Sequence, residues 1–270
     1  MERRWQDFVA NQEVLVAMRF SYFGKSGWQG DASKHKDMLF KPQRLALRLA
    51  MLESLAIPSL AAQSDQNFHL MILCSEDLPA AALDSLTQVC AGTLAHEKYS
   101  ICPRPFGASH TFLTKFLKRR YGLGQVIQTV LDDDDAFASN LIARIREELS
   151  AMPEPQDETV PQFVSFIDGF GLDLKDRETG NFSLYSHRYP FVNLGLTMVG
   201  PSGGKNLFSI RHRKVPAQGN AKLVKGSPMF VRTLHGLNDS RACVTERWRP
   251  MQNWRTDPKI SDRFPFLGAI

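Results

Sequence analysis

The apolar positions of this chain fall into short continuous runs separated by helically spaced ones. Residues 13–20, built on Val14-Leu-Val-Ala-Met-Arg-Phe20, read as a buried strand, and the polar, glycine-containing stretch 24–36 reads as a loop. Leu45, Leu49, Leu52 and Leu55 then recur at helical spacing from Gln43, until Pro58 breaks or restarts the helix before Gln63. Residues 68–74 have the makeup of a buried strand, and Pro79 opens a helix over 80–90. Residues 98–102 predict a third strand, Ser109 the cap of a basic helix reaching Tyr121, and 125–131 a fourth strand. An amphipathic helix follows over 140–152.

Strands alternating with helices predict an α/β fold with a mainly parallel, Rossmann-like sheet flanked by helices. Ligands of such sheets gather at the carboxyl ends of the strands. Past residue 153 the texture changes. Residues 162–167, 181–186, 191–199 and 229–234 read as strands, with turn signals at Asp168-Gly169, Thr179-Gly180 and Pro201 to Gly204, so mixed pairing is expected in the C-terminal half. The polar connection at 153–158 is too short for a domain linker. One domain over residues 1–270 is therefore expected, with one half to about residue 152 and a second from about residue 160.

A chain of 270 residues can bury a full core without staples. Cys74, Cys90, Cys102 and Cys243 form no Cys-x-x-Cys pair and no zinc spacing, which suits buried thiols in a reducing compartment such as the cytoplasm. The first apolar run, 14–18, is too short for a signal segment or a membrane span, so a soluble chain is expected, with at most peripheral contact at the inner membrane face. The net charge of +5 is uneven: no Asp or Glu lies between Glu178 and Asp239, where Arg188, Arg211, Arg213 and Arg232 do. That half should favour anions.

The fourth strand ends in four adjacent carboxylates, Asp132 to Asp135. Neighbouring aspartates at the mouth of a buried strand repel one another, so the cluster costs stability unless a cation neutralises it. Hard oxygen ligands point to Mg²⁺ or Mn²⁺, and a metal held by one or two carboxylates keeps positions open for phosphate oxygens. On an extended chain Asp132 and Asp134 share one face, Asp133 and Asp135 the other. The plainer alternative is a solvated acidic loop at the start of the next helix.

The sequence Leu131-Asp-Asp-Asp-Asp resembles the DxD motif of nucleotide-sugar glycosyltransferases of GT-A fold. Around it stand Arg19-Phe20, Arg48 with Leu52-Glu53, Ile57-Pro58-Ser59-Leu60 with Gln63, Phe68, Leu78-Pro79 and His235-Gly236-Leu237-Asn238. This ordered series is similar to the bacterial putative rhamnosyltransferase family and covers most of the chain. The resemblance implies a GT-A-like fold and transfer of a sugar, rhamnose in the family's name, from a nucleotide diphosphate donor. The acceptor it implies is a glycan or lipid-linked glycan, and the cofactor Mn²⁺ or Mg²⁺. Carried over, it makes Asp132 and Asp134 the metal and nucleotide-sugar aspartates, with Asp135 beside them and His235 approaching metal or diphosphate. Arg19, Arg48, Asp132 and Asp133 are then the expected donor-binding residues, and Asp134, Asp135 and His235 the expected metal ligands. Asp133 at the variable position leaves the register open.

Inverting transfer needs a base for the acceptor hydroxyl. The acid-free gap leaves Asp168, Asp173, Asp176, Glu178, Asp239 and Glu246, of which Asp168 is the first choice; His187 and His212 are weaker alternatives. A retaining enzyme needs none. Two other classes compete. Haloacid-dehalogenase-like phosphatases also place Asp-x-Asp after a strand, but at the opening of their fold. A nucleic-acid module would use 115–120, 211–214 and 247–255 with Trp248 and Trp254, yet no recognition spacing supports it, and no nucleic-acid partner is expected.

Overall fold

Two strands, β1 (Val14–Phe20) and β2 (Phe68–Ser75), are buried along their whole length, because side chains pack against both faces of the sheet they share. They belong to a computed structural model that describes residues 2–27, 30–174, 182–237 and 243–270. The later strands are β3 (Tyr99–Arg104), β4 (Gln125–Val130), β5 (Ala136–Phe137), β6 (Gln162–Phe166), β7 (Asp168–Asp173) and β8 (Ser183–Arg188). After them come β9 (Thr197–Pro201), β10 (Asn220–Val224), β11 (Phe230–Leu234) and β12 (Arg249–Pro250).

Among the described residues, seven strands form one sheet in the order β10-β6-β9-β4-β1-β2-β3. Its pairs are parallel except those of β9, which runs antiparallel to β4 and β6. This is the mainly parallel α/β sheet expected from the strand and helix rhythm. Ile167 alone separates β6 from β7, so the chain passes directly into a second, mixed five-stranded sheet in the order β12-β8-β7-β11-β5.

The helices are α1 (Glu2–Asn11), α2 (Lys36–Leu39), α3 (Pro42–Met51), α4 (Ile57–Ala61), α5 (Ala80–Ala91), α6 (Ser109–Tyr121), α7 (Leu141–Ser150) and α8 (Pro258–Ser261). Alternation along β1 divides them between its faces. Val14, Val16, Met18 and Phe20 belong to a core with Leu45, Met51, Leu86 and Ile145, whereas Leu15 and Ala17 pack with Leu113 and Leu117 of α6. Among the described residues no helix is long and apolar enough to cross a membrane.

Several local expectations change. Pro58 restarts the helix and does not break it: α3 runs through a π turn at Leu52–Ala56 into α4, which has Pro58 in its first turn, with the Ile57 N–H on the Leu52 carbonyl. The wider turn absorbs a proline that has no N–H to give. Ser109 starts α6 but does not cap it, since its hydroxyl donates to the Lys25 carbonyl at 3.3 Å. The strand expected at 191–199 begins only at Thr197, after Phe191 and Gly195 take positive φ of 55° and 71°. The strand expected at 181–186 is β8; residue 181 and the Thr179-Gly180 turn lie outside the described residues. The polar start of the chain is helical, with Trp5 packed in the core and its indole N–H on the Leu149 carbonyl at 3.1 Å.

Candidate active site

Pairing of β4 with β1 sets the site, because it brings the end of one strand, Asp132, beside the end of the other, Arg19. The Leu131 N–H still joins the Ala17 carbonyl at 3.2 Å, after which the four aspartates leave the sheet as a turn. Arg19 Nη2 stands 3.7 Å from Asp132 Oδ1, Arg19 Nη1 donates to the Ser26 carbonyl, and the guanidinium lies over the Phe208 ring at 4.8 Å. The four side chains then go separate ways. Asp133 and Asp134 turn inward to Arg48 of α3, which is 2% exposed. Arg48 Nε donates to Asp133 Oδ2 at 2.9 Å, Nη2 donates to Asp133 Oδ1, and Nη1 donates to Asp134 Oδ2 at 2.7 Å.

His235 follows β11 and meets Asp134 Oδ2 through Nε2 at 3.0 Å. Its Nδ1 accepts the Leu237 N–H at 3.2 Å, so the neutral ring carries its proton on Nε2 and donates it to Asp134. Asp135 Oδ1 accepts the Thr233 N–H at 2.9 Å, fastening the turn to β11. Asp132 differs from the others: its Oδ1 is buried and accepts no hydrogen bond.

Burial raises the Asp132 carboxyl, with Arg19 opposing the rise. Burial also raises Asp135, and the charges of Asp134 and Asp132 push it further. Asp133 and Asp134 share one guanidinium and titrate together. Burial acts against ionisation of both; Arg48 and then His235 more than offset it at Asp134, which is held low, while Asp133 is pushed up.

Asp132 and Asp135 face a cleft of about 840 Å³ between the two sheets' strand ends. Arg188, Arg213, Arg232 and Arg247 line it too, with His187, Tyr189, Asn193, His212 and Trp248. A pair of carboxylates, one with a buried oxygen that accepts no hydrogen bond, fits a hard divalent cation such as Mg²⁺ or Mn²⁺. Among the described residues no three His, Cys, Asp or Glu side chains converge to hold a metal alone, which leaves the other positions to phosphate oxygens or water.

Of the residues marked in the sequence, Arg19, Arg48, Asp132, Asp133, Asp134, Asp135 and His235 thus come together, in one network. Arg48 and Asp133 form its buried base and do not line the cleft. Asp168 stands apart at the start of β7, where Oδ1 takes Arg188 Nε at 2.6 Å and Oδ2 takes the Gly226 N–H at 2.7 Å. Asp176, Glu178, Asn238 and Asp239 lie outside the described residues. Arg213 and Arg232 were legible in the acid-free segment, but Trp248 and Tyr189 were not singled out for this site. Trp248 owes its place to a long-range contact with Gly171, which nothing in the local sequence signals.

No curated protein matches this chain in sequence. The crystal structure of S. aureus TarS is similar in fold over 83% of this chain and 37% of its own length, at 9% identity and a TM-score of 0.43. Residues 13–247 match the family described as "Putative rhamnosyl transferase", to which this chain belongs.

Proposed function

We propose that this single-domain transferase moves a rhamnosyl group from a nucleoside diphosphate donor to a glycan acceptor, with Mg²⁺ or Mn²⁺ at Asp132 and Asp135. The observation that carries this reading is the cleft itself, in which two carboxylates at the end of β4 face an arginine-rich surface. The cation, when bound, neutralises charge that develops on the departing diphosphate. Arg213, Arg232 and Arg247 then attract the phosphate oxygens and hold them toward the carboxylates. Arg19, between Asp132 and Phe208, offsets the Asp132 charge from outside the cleft lining. Asp134 and His235 act behind the cleft, as a hydrogen-bonded pair that holds the turn in shape.

For transfer with inversion, His212 is the proposed base in preference to Asp168, whose two oxygens are already engaged. His212 Nδ1 lies 2.6 Å from the Phe191 carbonyl and donates to it, which fixes the tautomer and leaves Nε2 as an acceptor in a cleft-lining ring. Burial lowers this imidazole's pKa, so it is unprotonated at neutral pH.

A thermal-shift screen of UDP, GDP and dTDP, each with and without Mn²⁺, tests the reading, since a ligand of the native state raises its melting temperature. One nucleotide should stabilise strongly, and only with the metal. No response to any of the three would overturn it.

A further inference from the structure

Part of the cleft lining is aromatic, and the second sheet is shaped to make it so. Tyr185 and His187 alternate on β8, and in the register of β7 with β8 they stand opposite Gly171 and Gly169. A Cβ at Gly169 would come within 2.3 Å of the Phe230 ring, and one at Gly171 within 1.9 Å of Trp248 Cζ3. Both glycines are therefore occupied space: the sheet gives up two side chains so that two aromatic rings can lie against its backbone. Trp248 then stacks on His187, with ring centroids 4.3 Å apart and planes at 31°, and meets Tyr185 edge-on at 6.4 Å. Tyr189 continues the row, 6.1 Å from His187 and 6.4 Å from the proposed base His212.

His187 is 5% exposed and its Nδ1 is buried without a hydrogen-bond partner. Burial and then Arg232 lower its pKa to about 4, so the ring beneath Trp248 is uncharged at neutral pH. The half-buried indole is thus backed by a neutral ring, fixed by a close-packed sheet, and borders the cleft. A pyranose offers one face of C–H groups to such a ring and hydroxyls to the polar groups around it.

We propose that Trp248, seated on His187 over Gly171, is the platform on which the acceptor glycan's terminal pyranose stacks. The proposal rests on the glycosyltransferase reading of this same cleft. The donor's sugar is tied to the diphosphate at the aspartates, whereas the aromatic row runs from Trp248 through His187 and Tyr189 to the proposed base His212, so the platform serves the acceptor.

Saturation-transfer NMR on the full chain, with methyl α-rhamnoside as the acceptor probe and Mg²⁺ present, tests it. Calorimetry with UDP, GDP and dTDP on the same samples reports the donor half separately. Wild type should transfer saturation to the probe, Trp248→Ala should lose the signal by at least about fivefold, and Trp248→Phe, which keeps a ring and the fold, should retain part of it. Nucleotide affinity should be equal in all three. An undiminished signal in Trp248→Ala, no signal in wild type, or a loss confined to nucleotide affinity would overturn the platform while leaving the transferase reading intact. Failure of wild type to bind any of the nucleotides would instead overturn that reading.

Discussion

Arg48 Nη1 lies 2.7 Å from Asp134 Oδ2 while its Nε lies 2.9 Å from Asp133 Oδ2, so one buried guanidinium holds two consecutive aspartates away from the cleft. The relationship separates charges that would otherwise crowd a single turn. It also places Arg48 in the buried base of the site, and of the four aspartates Asp132 and Asp135 line the cleft.

Removing one partner of a buried ion network strands the others in low dielectric. Arg48→Leu should therefore lower unfolding free energy by about 3–5 kcal/mol in urea titration. Any folded fraction should bind nucleoside diphosphate nearly as well as wild type, because Arg48 does not line the cleft. A variant of full stability that has lost nucleotide binding would place Arg48 on the donor instead.

The aspartates themselves can be told apart. Asp132→Asn should abolish most of the Mn²⁺-dependent rise in melting temperature measured with a nucleoside diphosphate, since it removes the carboxylate whose Oδ1 has no internal hydrogen bond. Asp134→Asn should reduce the melting temperature in the absence of metal, by weakening contacts to Arg48 and His235, and should leave more of the metal response. The reverse pattern would make Asp134 the metal ligand.

The alternation of apolar runs made the parallel sheet legible, because strands buried on both faces cannot avoid being apolar throughout, as β1 and β2 are. The site was legible in part for the same kind of reason: four carboxylates at a strand end demand compensation, and Arg19 and Arg48 supply it, with a hydrogen bond from His235. What the sequence concealed were features set by distant contacts. β7 reads as an Asp-Gly turn, since nothing local tells that Gly169 and Gly171 make room for Phe230 and Trp248. The exposed edge strand β10 has too few buried positions to show a period. Asp168 was conspicuous as an acid after a strand, and only the fold reveals that Arg188 and Gly226 occupy it.

The two candidate bases give opposite expectations. His212→Gln should lower turnover by roughly 10²–10⁴-fold with donor affinity nearly unchanged, as losing a general base does. Asp168→Asn should cost much less, because the surface pair with Arg188 is its main loss. Steady-state rates with donor and acceptor both saturating distinguish the cases. Full activity in both variants would point to a retaining route.

His187 should make stability depend on pH in a defined window. In the unfolded chain a histidine takes up its proton near pH 6.5, whereas in the fold burial and Arg232 hold the same event to about pH 4. Between those values the unfolded state binds the additional proton, so native stability is complete above about pH 6.5 and is lost as pH falls toward 4, by roughly 3 kcal/mol for a shift of this size. His187→Phe keeps an aromatic ring against Trp248 and also removes a buried nitrogen that has no partner. Its unfolding free energy at pH 7 should therefore match or exceed that of wild type, and the gap in its favour should widen by about 2–3 kcal/mol between pH 7 and pH 4.5 in urea titrations. Parallel declines of the two proteins over that range would mean that the imidazole is already accessible to protons in the native cleft.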